Sequence, residues 1–98
     1  MKVLLICYAG MSTSLLVSKL QKTVLEKSLD YEFEAIGTLD FDDYYEENQI
    51  DFILMGPQAR HMFEEINEKI EGANIPIMVI DSKIYGRMDA DAIIEMLK

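Results

Sequence analysis

The sequence has one cysteine, few cations and no long apolar run, and each shortage narrows what the chain can be. A lone cysteine, Cys7, cannot close an internal disulfide, so a reducing compartment is the simpler expectation. The apolar stretch near the start, "VLLIC", is far shorter than the roughly 20 residues of a membrane span. No small-residue cleavage site follows it, so no signal peptide is expected. The chain is expected to be cytoplasmic, without direct membrane insertion, and to meet any membrane by docking on another protein. Nine Lys and Arg stand against eighteen Asp and Glu, a formal net charge of −9. That excess argues against nucleic acid, whose phosphates need clustered cations, and against anionic lipid. Acidity of this size serves solubility; a basic protein partner is the alternative. One cysteine and one histidine, His61, lack metal-ligand spacing, so no metal and no other cofactor is expected.

What is present suits a globular protein. Ninety-eight residues fit a single domain, 1–98, with half of them apolar and 28% charged. Val3 to Ile6 forms a continuous β-compatible run. "YEFEAIG" alternates Tyr31, Phe33 and Ala35 with Glu32 and Glu34, the period of a strand with one wet face. "DFILMG" and "IPIMVID" are nearly continuous, as in parallel strands covered on both faces. Between them, Leu16, Leu20 and Val24 make a helical stripe. "PQARHMFEEINEKIEG" opens on Pro57, closes on Gly72 and spaces Met62, Phe63, Ile66 and Ile70 at helical intervals. "DFDDYYEEN" reads as a weak helix or loop. The final segment has Asp89 as N-cap, with Ile93, Ile94 and Leu97 facing inward.

The order βαβαβαβα predicts right-handed crossovers and an α/β fold: a four-stranded parallel sheet with helices on both faces. The half-polar second strand belongs at an edge, which gives the flavodoxin-like order 2-1-3-4. The apolar fourth strand then forms the other edge and needs cover from the final helix. Ligands in such sheets bind beyond the carboxyl ends of the strands, beside the switch in strand order. Cys7, "GPQ" and "DSKIYG" all fall there.

"CYAGMSTS" therefore leads from the first strand into a helix N-terminus, where unpaired N–H groups and the helix dipole favour an anion. Gly10 lets the loop curl its amides inward. Ser12, Thr13 and Ser14 can cap the helix or donate to the anion. The same field favours a thiolate, so a nucleophile inside an anion cradle suits formation of a thiophosphate. A cysteine ending a buried strand also serves as a small hydrophobe, and the loop as an unoccupied cap.

These residues resemble the active-site loop of the IIB (EIIB, type-3) components of the sugar phosphotransferase system, lactose/cellobiose (chitobiose) family. "ILMGPQARHM" and "PIMVIDSKIYGRMD" resemble two later segments of that family, in the same order and at similar spacing. The resemblance implies a phosphotransferase acting between protein phosphohistidine and sugar. Cys7 would be its phosphocysteine intermediate, and Ala9, Gly10, Met11, Ser12, Thr13 and Ser14 its phosphate-binding loop. The donor would be a phosphohistidine on EIIA. The acceptor would be a β-glucoside or disaccharide of cellobiose, chitobiose or lactose type, held by membrane EIIC during uptake. The chain would act as a monomer. Tyr8, Gln58, Asp81, Ser82 and Tyr85 are candidate partner or loop contacts.

The loop holds no basic residue. Backbone amides and hydroxyls hold phosphate moderately, whereas an arginine clamp would also stabilise attack by water. A low-molecular-weight tyrosine phosphatase has a similar fold and needs arginine six residues after its cysteine; Thr13 stands there. Asp81 occupies the place of that enzyme's acid. A response-regulator receiver needs acids where Cys7 and Gly56 stand. A non-catalytic interaction domain is the third class. His61 reads as a solvated helical residue rather than a relay group.

Overall fold

The computed structural model describes residues 1–7 and 11–98, with the backbone alone for residues 11–13. Its strands are β1 (Lys2–Cys7), β2 (Glu32–Gly37), β3 (Phe52–Met55) and β4 (Ile77–Val79). Its helices are α1 (Met11–Glu26), α2 (Phe41–Glu47), α3 (Phe63–Lys69), α4 (Ser82–Gly86) and α5 (Ala90–Met96). All pairings are parallel, in the order β2-β1-β3-β4, as the sequence pattern predicts.

Side chains of β1 alternate between two cores. Val3 and Leu5 meet Leu16, Leu20 and Val24 of α1 and Ile93 and Ile94 of α5. Leu4 and Ile6 meet Phe41 of α2, Ala59, and Ile66 and Ile70 beneath α3. Each fully buried aliphatic side chain contributes roughly 1.5–3 kcal/mol, so an unbroken apolar strand is stable only when covered on both faces. That condition holds for β1 and β3, whose residues from Val3 and Phe52 onward are all buried. It fixes them at the centre of the sheet.

Helix α1 ends without glycine. Ser28 takes φ 55°, and Leu29 N–H reaches back to the Val24 carbonyl at 2.9 Å, closing the last turn as a left-handed cap does. The acidic segment after β2 is helical, α2, because Phe41 inserts into the second core and stacks on Tyr45. The stretch from Pro57 to Gly72 is not one helix. It starts as a 3-10 turn, Pro57–Met62, and becomes α3 only at Phe63. The fourth strand is also shorter than its apolar run. Three residues pair, and Met78 stays 40% exposed. The final helix packs beside α1 and shares a core with Ile80, just past β4, while Met78 remains open to solvent.

Candidate functional site

Parallel pairing brings the carboxyl ends of all four strands to one edge. Cys7 pairs with Gly37 at the end of β2, and Gly56 N–H bonds the Ile6 carbonyl at 2.8 Å just after β3. The cysteine thus ends a strand bonded on both sides. It is 2% exposed, and its Sγ donates a long hydrogen bond to the Ile36 carbonyl at 3.5 Å. Helix α1 starts only four residues later, at Met11, with no acidic residue in its first turn. Its N-terminal amides therefore favour negative charge near the thiol.

Tyr8, Ala9 and Gly10 of the expected cradle lie outside the described residues, as do the side chains of Met11, Ser12 and Thr13. Ser14 is exposed in the opening turns of α1. The remaining candidates gather beside Gly56. A Cβ at that glycine would stand 3.4 Å from Gln58 Oε1, 3.4 Å from Tyr85 Cε2 and 3.6 Å from the Ile6 carbonyl oxygen. A Cβ there would sit in ordinary van der Waals contact, so both side chains pack closely against the backbone just after β3. Tyr85 is 8% exposed and belongs to the first core, so its ring both packs and shapes this edge. Gln58, Tyr85, Gly86, Met88 and Leu16 line a cavity of about 210 Å³ beside α1.

Asp81 has a structural task. Its carboxylate accepts from Lys83 N at 2.9 Å and Ile84 N at 3.4 Å, capping α4, and Ser82 is the first residue of that helix. A carboxylate so engaged is poorly placed to protonate a leaving group, which counts against phosphatase chemistry. His61 is exposed in the 3-10 turn after β3. Among the described residues no group of three His, Cys, Asp or Glu could hold a metal ion, and no helix is long and apolar enough to cross a membrane.

Two features escaped sequence reading. The segment Thr38–Asp40 forms a 3-10 turn beside Cys7 and holds Leu39 at 95% exposure, over a hollow of about 450 Å³. Leucine in a short loop carries no periodicity to mark it. Helix α4 hides inside "DSKIYG", where only the cap-forming Asp81 signals a helix start.

A four-stranded parallel sheet in this order, with a cysteine closing the strand beside the order switch, defines a class of α/β domains whose chemistry sits at the carboxyl edge. The family described as "PTS system, Lactose/Cellobiose specific IIB subunit" matches residues 2–96, and the chain belongs to it. The galactose-specific EIIB component of Lactococcus lactis subsp. cremoris is 43% identical over 93 residues, 92% of this chain and 86% of that one. The cellobiose-specific EIIB component of Lactococcus lactis subsp. lactis is 42% identical over the same shares. The oligo-beta-mannoside-specific EIIB component of Bacillus subtilis is 36% identical over 90% of this chain and 84% of its own. The solution structure of the cellobiose-specific IIB component from Borrelia burgdorferi superposes with TM-score 0.74 at 32% identity, covering 97% of this chain and 85% of that one. The lactose-specific IIB domain from Streptococcus pneumoniae shares the fold, at TM-score 0.84 and 18% identity over 99% and 94%. The chain is a phosphocarrier, a phosphotransferase component of a sugar phosphotransferase system.

Proposed function

We propose that Cys7 carries the phosphoryl group between a phosphohistidine on EIIA and a β-linked disaccharide held by membrane EIIC, within a single cytoplasmic EIIB domain spanning residues 1–98. The observation that carries this reading is the position of the thiol. It ends the strand beside the order switch, next to a helix N-terminus with no acidic residue in its first turn.

In the first step Sγ attacks phosphorus in line. The S–P bond forms as the N–P bond breaks, the imidazole nitrogen keeps the electron pair, and the thiol proton ends on that nitrogen. In the second step a sugar hydroxyl attacks phosphorus, the S–P bond breaks, sulfur keeps the pair and takes the hydroxyl proton. Both steps need a partner close to Sγ, so EIIA and EIIC use the same edge in turn. Gln58, Ser82 and the turn after β2 lie on that edge, and with Tyr8 and Met11, close to Cys7 in sequence, they would form the contact surface. Ala9 to Ser14 cradle the phosphate with amides and hydroxyls. Thr13, in place of an arginine, leaves water attack poorly stabilised, so the phosphoprotein outlives a phosphatase intermediate.

The sugar is read by the membrane component. The galactose, cellobiose and oligo-beta-mannoside names of three relatives, at 36–43% identity, suit a carrier domain that does not itself bind sugar. The test is to incubate the protein with phosphoenolpyruvate, the general relay proteins and a cognate EIIA, then map the phosphate by mass spectrometry. One phosphate on Cys7 is expected. Label on His61, or label persisting in Cys7→Ser, overturns the assignment. So does rapid catalytic release of phosphate from p-nitrophenyl phosphate that Cys7→Ser abolishes.

A further inference from the structure

Helices α2, α4 and α5 each follow an aspartate at the N-cap position, and one of the three does not cap. Asp81 accepts from Lys83 N and Ile84 N on α4, and Asp89 accepts from Ala92 N on α5. Asp40 stands at the same position before α2 and accepts from no backbone N–H there. Nor does it make an ion pair among the described residues. Its carboxylate lies instead over the end of β2, with Oδ2 3.7 Å from where a Cβ on Gly37 would stand. The register tells which face of the sheet that is. Paired residues of parallel neighbours point the same way, so Val3 and Phe33, and Leu5 and Ala35, share the first core. Cys7 and Gly37 continue that pairing, which sets the Asp40 carboxylate on the thiol's own face. Neighbouring strands lie roughly 5 Å apart, which brings this oxygen within about 9 Å of the Cys7 Cβ. Sγ turns toward the same strand, to the Ile36 carbonyl at 3.5 Å. Glycine at position 37 places no side chain between thiol and carboxylate.

We propose that Asp40 sets the transfer potential of the phosphocysteine, its carboxylate opposing the charge that Cys7 acquires, an inference that rests on the phosphocarrier reading above. A phosphoryl group carries about −1.5 to −2 charge. The N-terminal amides of α1 attract it and deepen the well from which it must leave. A like charge within a Debye length, about 10 Å at 0.1 M salt, raises the free energy of the phosphorylated form more than that of the free thiol. The two fields oppose each other, and the carrier keeps its phosphate transferable. Asp40 acts through space. It makes no bond to phosphorus and moves no proton, so both displacement steps stand as written.

The test compares Asp40→Asn with Glu47→Gln, the same change of charge at the exposed far end of α2, using circular dichroism to confirm folding. Phosphorylated EIIA is mixed with each protein at about 0.05 M salt, and phosphorus NMR counts the phosphoryl group on both, with equilibrium approached from either side. Asp40→Asn should move the equilibrium constant toward phospho-Cys7 by about 3–10-fold and Glu47→Gln by less than about 1.5-fold, the difference fading at about 0.5 M salt. An equilibrium between free proteins is blind to docking, so a role of Asp40 in partner contact or in folding alone would leave it unmoved. Alkylation supplies an arm without phosphate. Cys7 is the only thiol, and the ratio of its rates with anionic iodoacetate and neutral iodoacetamide reads the field at sulfur, because access and thiolate fraction cancel. That ratio should rise about 2–5-fold in Asp40→Asn and stay within about 1.3-fold in Glu47→Gln. An equilibrium constant unmoved in Asp40→Asn, or moved as far in Glu47→Gln, overturns the proposal. If the unmodified protein takes up no phosphate, the carrier reading fails instead, and an unchanged alkylation ratio then overturns the opposition of Asp40 to anions at Cys7.

Discussion

The two edges of the sheet handle polarity in opposite ways. At the amino edge, charges and backbone groups are tied to one another. The Met1 ammonium bonds the Asp30 carbonyl at 3.1 Å, Lys2 N–H meets Asp51 Oδ2 at 2.7 Å, and Lys2 Nζ lies 3.7 Å from Glu34. Glu32 N–H and Asp51 N–H return to the Met1 and Lys2 carbonyls at 2.8 and 2.9 Å. At the carboxyl edge, Arg60, Lys83 and Arg87 make no ion pair among the described residues and Leu39 stands almost fully exposed, while hollows open at both edges. The amino edge ties most of its end groups to one another, although the buried Tyr44 hydroxyl finds no partner there, while the carboxyl edge keeps fewer such ties. Substitutions should therefore separate stability at one edge from transfer at the other.

The largest separation is expected at Cys7. Cys7→Ser should drop phosphate transfer below detection, because a serine hydroxyl is a far weaker nucleophile near neutrality, while the thermal midpoint barely moves. Stopped-flow transfer from phosphorylated EIIA, with a melting curve, checks both halves. The converse variant is Leu54→Ala, in the buried centre of β3. It should cost about 2–5 kcal/mol in urea unfolding and leave transfer per folded molecule near normal.

A matched pair tests the edges more finely. Asp51→Ala removes the acceptor for Lys2 N–H, and Asp81→Ala removes the α4 cap; each should cost roughly 1 kcal/mol. Only Asp81→Ala should also slow transfer, since α4 shapes the reactive edge. Equal transfer rates in the two variants would break the comparison.

The smallest effect belongs to the Lys27–Asp91 pair, 2.6 Å across α1 and α5. The Lys27 hydrogen bond, then its charge, holds the Asp91 carboxyl below its ordinary value. A lowered folded-state pKa contributes stability above the unfolded value near 3.9 and loses it as pH falls through the folded one. Asp91→Asn should thus lower the urea midpoint slightly at pH 7, and the difference should vanish below about pH 3. Both groups are exposed, so salt should shrink it too.

Much of this was legible in the sequence, for identifiable reasons. Strand order followed from one contrast, the wet face of Glu32 and Glu34 against the unbroken apolar runs of β1 and β3. Helix α1 followed from Leu16, Leu20 and Val24, all buried as expected. The Asp89 cap was visible because its side chain acts locally. Two segments misled. Pro57 suggested an α-helical first turn, yet Ala59 N–H bonds the Gly56 carbonyl at 2.9 Å, the tighter spacing of a 3-10 turn. The apolar run at Ile77 suggested two-sided cover, which Met78, 40% exposed, lacks. The site divided in the same way. Cys7 and the later loops were placed together at the carboxyl edge by their positions after strands, and the sheet order brings them there. The exposure of Leu39 depends on packing between distant segments, which no local pattern encodes.

Pairing of β1 on both sides has a consequence for motion. The Ile6 carbonyl is held by Gly56 N–H and Cys7 stays in register with Gly37, so the backbone at the thiol cannot drift without breaking two ladders. In native-state hydrogen exchange, the amides from Leu4 to Ile6 should open only with global unfolding and remain protected longest. Any rearrangement between accepting and delivering phosphate must then occur faster and more locally, in side chains and in the proteins that arrive. On the proposed relay, the sheet is the stationary reference frame against which each partner would be aligned.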